Sequence, residues 1–230
     1  MFTVQLADIK ICIDNKYNYI KNMCAEYITE SGNEDVFISV TDDEIQAEAT
    51  IGFQKDYFES LAVYRKIADL MPDYNGFLMH GVLLKYKHKG VLICAKSGVG
   101  KSTHASLWQQ LLGEKCQIIN GDKPLVRFKE NTFLGYGTPW SGKEQFNINA
   151  SVPITDVCFL ERAVDNSVKK MSDNLLVSLL SQIYLPQKTD KLLRTTDLIQ
   201  NFIVNTKQWK IRCNMDISAA LIAYKALFKE

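Results

Sequence analysis

Residues 95–103 read Ala95-Lys96-Ser97-Gly98-Val99-Gly100-Lys101-Ser102-Thr103. Ala or Gly, four residues, then Gly-Lys and Ser or Thr is the spacing of a phosphate-binding loop. Each type has a reason to be there. Gly98 and Gly100 let the backbone curl so that successive N–H groups face phosphate oxygens. Lys101 reaches the β and γ phosphates as a point charge, and Ser102 offers a hydroxyl to Mg²⁺. Ser97, Val99 and Thr103 complete the expected contacts, and the implied cofactors are ATP and Mg²⁺.

The flanks agree with this reading. Residues 90–94, Gly-Val-Leu-Ile-Cys, form a short apolar run of the kind a buried strand shows. From Thr103 onward, Ala105, Trp108, Leu111 and Leu112 recur at helical spacing, and Gly113 is a stop signal. Strand, loop and helix therefore follow in order, and a bound phosphate would sit at a helix N-terminus. The competing reading is an ordinary Gly-Ser turn.

Composition bounds the rest. The chain has 230 residues, 47% hydrophobic content and a formal net charge of +1. That length suits one domain, or a core with a small subdomain. A near-neutral balance asks for neither nucleic acid nor an anionic membrane. Six cysteines are scattered, with no C-x-x-C pair, which favours a reducing compartment over a disulfide scaffold. The first residues carry no basic region and no long apolar run, so neither a signal peptide nor a membrane span is expected and a cytoplasmic location is.

Periodicity supplies a coarse order of elements. Residues 4–13 read as a strand. Ile20, Met23, Cys24, Tyr27 and Ile28 share one helical face. After a break at residues 31–33, residues 36–40 read as a strand, and Thr41 to Glu44 fits a capping box. Phe58, Leu61, Tyr64, Ile67 and Ala68 mark a longer helix that stops at Pro72. Residues 1–74 are expected to form a small α+β subdomain on a core of residues 75–230. In the core, residues 81–87 and 90–94 are joined only by His88-Lys89, which forces an antiparallel hairpin and hence a mixed sheet. Residues 117–121, 154–160 and 209–213 read as strands. Residues 125–128 and 133–136 read as a hairpin, and residues 175–185, 191–203 and 217–228 as helices.

Asp122 ends the strand after the loop's helix. It reads either as a turn residue in Asn120-Gly121-Asp122 or as the carboxylate that holds Mg²⁺ and takes a hydroxyl proton. His80, before the hairpin, is a structural histidine or a catalytic one. His104 lines the nucleotide site or faces solvent. Residues 136–144 hold two turn glycines, Trp140 and Lys143 at a strand end, where substrates are often held. Trp140 as buried core and Lys143 as a solvated charge are the alternatives. Arg127, Arg162 and Arg212 are phosphate clamps or surface charges.

Met79-His80-Gly81-Val82-Leu83-Leu84, Gly90-Val91-Leu92-Ile93 and Ser97-Gly98-Val99-Gly100-Lys101-Ser102 together resemble HPr kinase/phosphorylase. That group shares a fold with ATP-dependent phosphoenolpyruvate carboxykinase. The resemblance covers about residues 76–162. Asn120-Gly121-Asp122-Lys123-Pro124 and residues 137–143 look most like small HPr-kinase-like proteins, some of which phosphorylate a serine of a peptide precursor. The resemblance implies an α/β core with a mixed sheet and a phosphate loop, and it makes His80 and Asp122 expected catalytic residues alongside Lys101 of the loop. Ser102 and Asp122 become the expected metal ligands; Trp140, Lys143 and Arg127 are the candidates for acceptor binding. Two departures stand out. Gly121 occupies one position of the family's paired aspartates, and the glycine-rich signature beyond the nucleotide site is absent, so neither HPr as acceptor nor phosphorolysis is carried over. The expectation is an ATP-dependent kinase acting on a hydroxyl, with a peptide or protein serine foremost. A small-molecule hydroxyl kinase and a nucleotide-binding interaction protein are the alternatives. The sequence names no oligomeric state.

Overall fold

The computed structural model describes residues 1–228. Two left-handed residues, Ala7 (φ 49°) and Asp8 (φ 58°), break the first apolar run. The single strand expected over residues 4–13 is therefore two, β1 (Phe2–Leu6) and β2 (Ile9–Asp14), paired antiparallel. No glycine announces this turn, and left-handed backbone is unfavourable for alanine. Contacts distant in sequence hold it: Lys129 Nζ and Tyr136 Oη donate to Asp8 Oδ2 at 2.8 and 2.7 Å, and Arg127 Nη1 donates to the Ala7 carbonyl at 2.6 Å.

The helix α1 (Asn18–Met23) is followed by a 3-10 turn and by β3 (Val36–Ser39), which lies parallel to β2 and completes a three-stranded sheet. The helices α2 (Asp42–Ala47) and α3 (Lys55–Leu70) follow. Thr41 and Glu44 form the expected capping box, with bonds of 3.2 and 2.8 Å. The apolar cluster of this sheet and these helices also takes in Leu78, Leu125, Tyr136 and Trp140. One core thus runs across residues 74 and 75.

The central sheet has nine strands. After the short β4 (Gly76–Leu78), β5 (Val82–Tyr86) and β6 (Lys89–Cys94) form the antiparallel hairpin the short connection demanded, turning at Lys87 (φ 55°) and His88. The helix α4 (Lys101–Leu112) leads to β7 (Cys116–Asn120), which pairs antiparallel with β5. A second hairpin, β8 (Leu125–Lys129) and β9 (Thr132–Tyr136), joins β4 to the long β10 (Ser151–Arg162). The chain ends with β11 (Ser167–Lys170), α5 (Leu175–Leu180), α6 (Thr189–Asn205), β12 (Lys207–Cys213) and α7 (Ile217–Phe228).

β10 makes the sheet curl. Its first residues pair antiparallel with β9, and the rest runs parallel to β6 on one side and β12 on the other. A register shift between Ile154 and Asp156 marks the change. The sheet is mixed, as the β5–β6 connection required. Period-two alternation fills both faces. Val82, Leu84, Val91 and Ile93 cluster with α4 and α7, while Leu83, Leu92 and Cys94 cluster with α5 and α6. Burying each such side chain contributes about 1.5–3 kcal/mol. The helix expected over residues 175–185 is shorter, because Ile183 bridges Met79 and Tyr184 N donates to the Leu78 carbonyl at 3.0 Å. All six cysteines are free, five of them buried. Among the described residues no helix is long and apolar enough to cross a membrane.

Candidate active site

The strand–loop–helix order expected around residue 95 is present, with β6 ending at Cys94 and α4 beginning at Lys101. Gly98 (φ 77°) and Gly100 (φ 118°) are both left-handed, and Val99 N donates to the Lys96 carbonyl at 3.2 Å. A Cβ on Gly98 would meet nothing within 4 Å. Backbone conformation, not space, is therefore what calls for glycine there. Gly100 caps α4 without a side-chain acceptor, and the first turn holds no acidic residue. Its leading amides have no side-chain partner, and the helix dipole favours an anion in front of them. Arg162, at the end of β10, donates Nε to the Val99 carbonyl at 3.1 Å and Nη2 to the Gly98 carbonyl. It ties the outer rim of the loop rather than standing free.

Three residues far apart in sequence meet beside this loop. Lys101 Nζ lies 3.2 Å from His80 Nε2 and 3.2 Å from the Ala95 carbonyl. His80 Nε2 lies 3.2 Å from Asp122 Oδ1. One ring nitrogen cannot accept from Lys101 and donate to Asp122 at once, so His80 serves one neighbour at a time. Burial pushes the Asp122 carboxyl up. The hydrogen bond from His80 and the charges of Lys123, His80 and Lys101 outweigh it, leaving the group below its usual range. Burial also lowers the Lys101 ammonium, against the opposing pull of Asp122 and Cys94. The Asp122 and His80 side chains keep 26% and 38% exposure, so a ligand can reach them.

The backbone around the trio is pinned on every side. His80 N donates to the Gln182 carbonyl at 2.6 Å, and Gly81 N to the Asp122 carbonyl at 2.8 Å. Asn120 Oδ1 accepts from the amides of Asp122 and Lys123, at 2.9 and 2.7 Å. Asn120 Nδ2 in turn donates to the Thr138 carbonyl and hydroxyl, both at 3.0 Å. Thr138 Oγ1 and Tyr64 Oη both donate to the Lys123 carbonyl, at 2.9 and 2.5 Å. Asn120 and Asp122 thus do form a turn, and that turn presents the carboxylate. Gly121 has a steric reason: a Cβ there would lie 2.6 Å from the Ser141 carbonyl.

Trp140 is 5% exposed, stacked on Tyr64 at 4.0 Å between ring centroids, with Nε1 donating to the Ser60 carbonyl at 3.1 Å. It belongs to the core and offers little more than an edge to a ligand. Trp140, Lys143, Asp122 and Lys123 nevertheless line one cleft of about 850 Å³, which opens between α1, α3 and residues 138–147. Arg127 is not brought there. Its guanidinium binds the carbonyls of Tyr74 and Ala7, a bracing role that sequence reasoning did not separate from anion binding. Arg212, on β12, pairs with Ser167 of β11. His104, weighed as a nucleotide neighbour or a solvated residue, is 1% exposed inside α4's packed face, and burial pushes its imidazole down to about 4. Sequence reasoning missed Gln182, Thr138 and Tyr64. Each bonds to main chain distant in sequence; Gln182 and Tyr64 lie in no local motif, and Thr138 lies in residues 137–143 without a role that the motif assigns.

No family model and no curated protein matches this chain. Among solved structures it is similar to the HPr(Ser) kinase/phosphatase from Coxiella burnetii, at 15% identity over 55% of this chain and 90% of that one, with a TM-score of 0.30. At that score the likeness decides neither the fold nor the activity of this protein.

Proposed function

We propose that this protein is an ATP-dependent kinase that transfers the γ-phosphoryl group to a hydroxyl, with a serine of a peptide or protein as acceptor. The observation that carries the reading is the meeting of Lys101, His80 and Asp122 beside a left-handed glycine loop that opens α4. In this reading the amides of residues 97–103 cradle the triphosphate, and Lys101 Nζ moves from the Ala95 carbonyl and His80 to the β and γ phosphates. That leaves His80 free to donate to Asp122 and fix the carboxylate's direction. Mg²⁺ would supply charge neutralisation on the phosphates. Ser102 and Asp122 would hold it from the protein side. No group of three His, Cys, Asp or Glu side chains among the described residues could cage a metal, which suits an ion that keeps water and phosphate oxygens as ligands.

Asp122 takes the proton of the acceptor hydroxyl. The hydroxyl oxygen bonds to the γ-phosphorus while the bond from that phosphorus to the β–γ bridging oxygen breaks, and ADP leaves with the electron pair. A loose phosphoryl transition state asks little of the base, so a carboxyl held below its usual range serves. One carboxylate does both jobs, since Gly121 has no room for a second.

Calorimetric titration with ATP–Mg²⁺ tests the reading at its first step. Lys101→Ala is expected to weaken binding and to cut transfer from labelled ATP by about a hundredfold or more. Equal affinity in the two proteins would refute the loop assignment. ATP binding without transfer to any hydroxyl acceptor would favour a nucleotide-binding interaction protein.

A further inference from the structure

Asp122 has two sides. One faces His80 and Lys101 beside the glycine loop; the other forms part of the wall of the 850 Å³ cleft. An acceptor that reaches Asp122 from the side away from the loop must therefore lie in that cleft. The opposite wall comes from residues 1–74 and carries three rings. Tyr57 on α3 packs edge-to-face with Tyr19 on α1 at 6.1 Å and stacks with Phe53 at 4.6 Å. Tyr19 is 39% and Phe53 51% exposed. Burial raises the Tyr57 hydroxyl above its ordinary range, and the nearby charges of Tyr19 and Asp122 add to this.

The wall is built in advance. Glu59, fully buried on α3, accepts from the amides of Lys16 and Tyr17, the latter at 3.1 Å, and so anchors the start of α1. Several polar groups of the facing loop are already committed. Asn147 Nδ2 donates to Ser141 Oγ at 3.1 Å, its Oδ1 accepts from Tyr27 Oη at 3.0 Å, and Trp140 Nε1 is held by Ser60. Beside the rings, this cleft presents the Asp122 and Asp56 carboxylates, two lysines and the amides of Asn22, Gln54 and Gln145. An exposed apolar cluster at the rim of a cleft marks a binding site.

We propose that the cleft between α1, α3 and residues 138–147 is the acceptor site, and that Tyr19, Phe53 and Tyr57 seat an aromatic or large aliphatic side chain of a peptide within a few residues of the accepting serine. This rests on the kinase reading above. The serine hydroxyl then points at Asp122, and phosphoryl transfer proceeds with the bond changes already given.

The test uses the full chain with labelled ATP and a serine peptide library in which each neighbouring position is scanned through all residue types. Incorporation is expected to favour Phe, Tyr, Trp, Leu or Ile at one or two fixed offsets. Phe53→Ala and Tyr19→Ala, both at exposed positions, are expected to raise KM for the best peptide about five- to tenfold each. They should flatten the preference at that offset and leave ATP–Mg²⁺ affinity by calorimetry unchanged. Thermal melts confirm that the variants fold. Transfer to peptides with no apolar preference, or a preference the two variants leave intact, overturns the cleft assignment while the kinase reading stands. Transfer to small hydroxyl compounds but to no peptide overturns both the cleft assignment and the peptide acceptor, while phosphoryl transfer from ATP stands. A wild-type protein that fails to bind ATP–Mg²⁺ overturns both.

Discussion

His104 should make this protein acid-sensitive, by an amount that follows from its burial. It sits on α4, 1% exposed, with neither ring nitrogen hydrogen-bonded. Burial pushes the imidazole down to about 4 in the folded protein, against about 6.5 in the unfolded chain. A group whose folded value is depressed contributes nothing unfavourable above the unfolded value. As pH falls below about 6.5, the unfolded chain takes up a proton that the folded protein refuses, so stability drops. At about 1.4 kcal/mol per unit, the full loss between pH 6.5 and 4 is about 3 kcal/mol, and about 2 kcal/mol of it falls between pH 7 and 4.5. That is a large fraction of a typical folding free energy of about 5–15 kcal/mol. The perturbation is His104→Leu, which keeps bulk, removes titration and removes two unsatisfied buried nitrogens. Urea unfolding at a series of pH values is the assay. Wild type should lose about 2 kcal/mol between pH 7 and 4.5; the variant should lose much less and be no less stable at pH 7. Parallel pH curves for the two proteins would refute the argument, as would a His104 imidazole that titrates near 6.5 by NMR.

Asp122→Asn should leave a folded protein that still binds ATP–Mg²⁺, with transfer nearly abolished; retained wild-type transfer in a single-turnover assay would remove Asp122 from the chemistry. Gly121→Ala places a Cβ 2.6 Å from the Ser141 carbonyl, so residues 138–147 must shift. A loss of about 1–3 kcal/mol is expected by urea unfolding, and Gly121→Asp should be worse still and should not add a working second carboxylate. Arg127→Ala frees the turn at Ala7 and Asp8 and should lower the melting temperature while leaving ATP binding and acceptor KM untouched. A raised KM with an unchanged melt would return Arg127 to the acceptor site.

Much of the sheet was legible because its causes are local. A two-residue link between strands admits only an antiparallel pair, so residues 81–94 had to form a hairpin and the sheet had to be mixed. The unbroken apolar run of residues 90–94 named a strand buried on both faces. The loop at residues 95–103 was legible for the same reason, since glycine at two positions and lysine after the second are requirements of backbone curl and charge. The split of residues 2–14 was not legible. Ala7 and Asp8 adopt left-handed backbone only because Arg127, Lys129 and Tyr136, more than a hundred residues away, hold them there. α5 ended early for a related reason, a bridge from Ile183 to Met79, just past β4, that no helical period can announce.

The sequence by itself determined the order strand, glycine loop, helix and acidic turn, and it marked Lys101, His80 and Asp122 as the residues to watch. It left each with a bland alternative, because a lone histidine or a turn aspartate is compatible with many structures. Tertiary structure set where each of these side chains lies and what it touches. It brought His80 within 3.2 Å of both Lys101 and Asp122, buried Trp140 and His104, and gave Arg127 a bracing role instead of a ligand. It also opened the aromatic cleft, whose two walls are supplied by residues 19–61 and 122–147. The physical reason is range. Backbone conformation and strand pairing across a short link depend on neighbours in the chain. Charge proximity, burial and cleft shape depend on which distant segments pack together, and only the folded chain sets that.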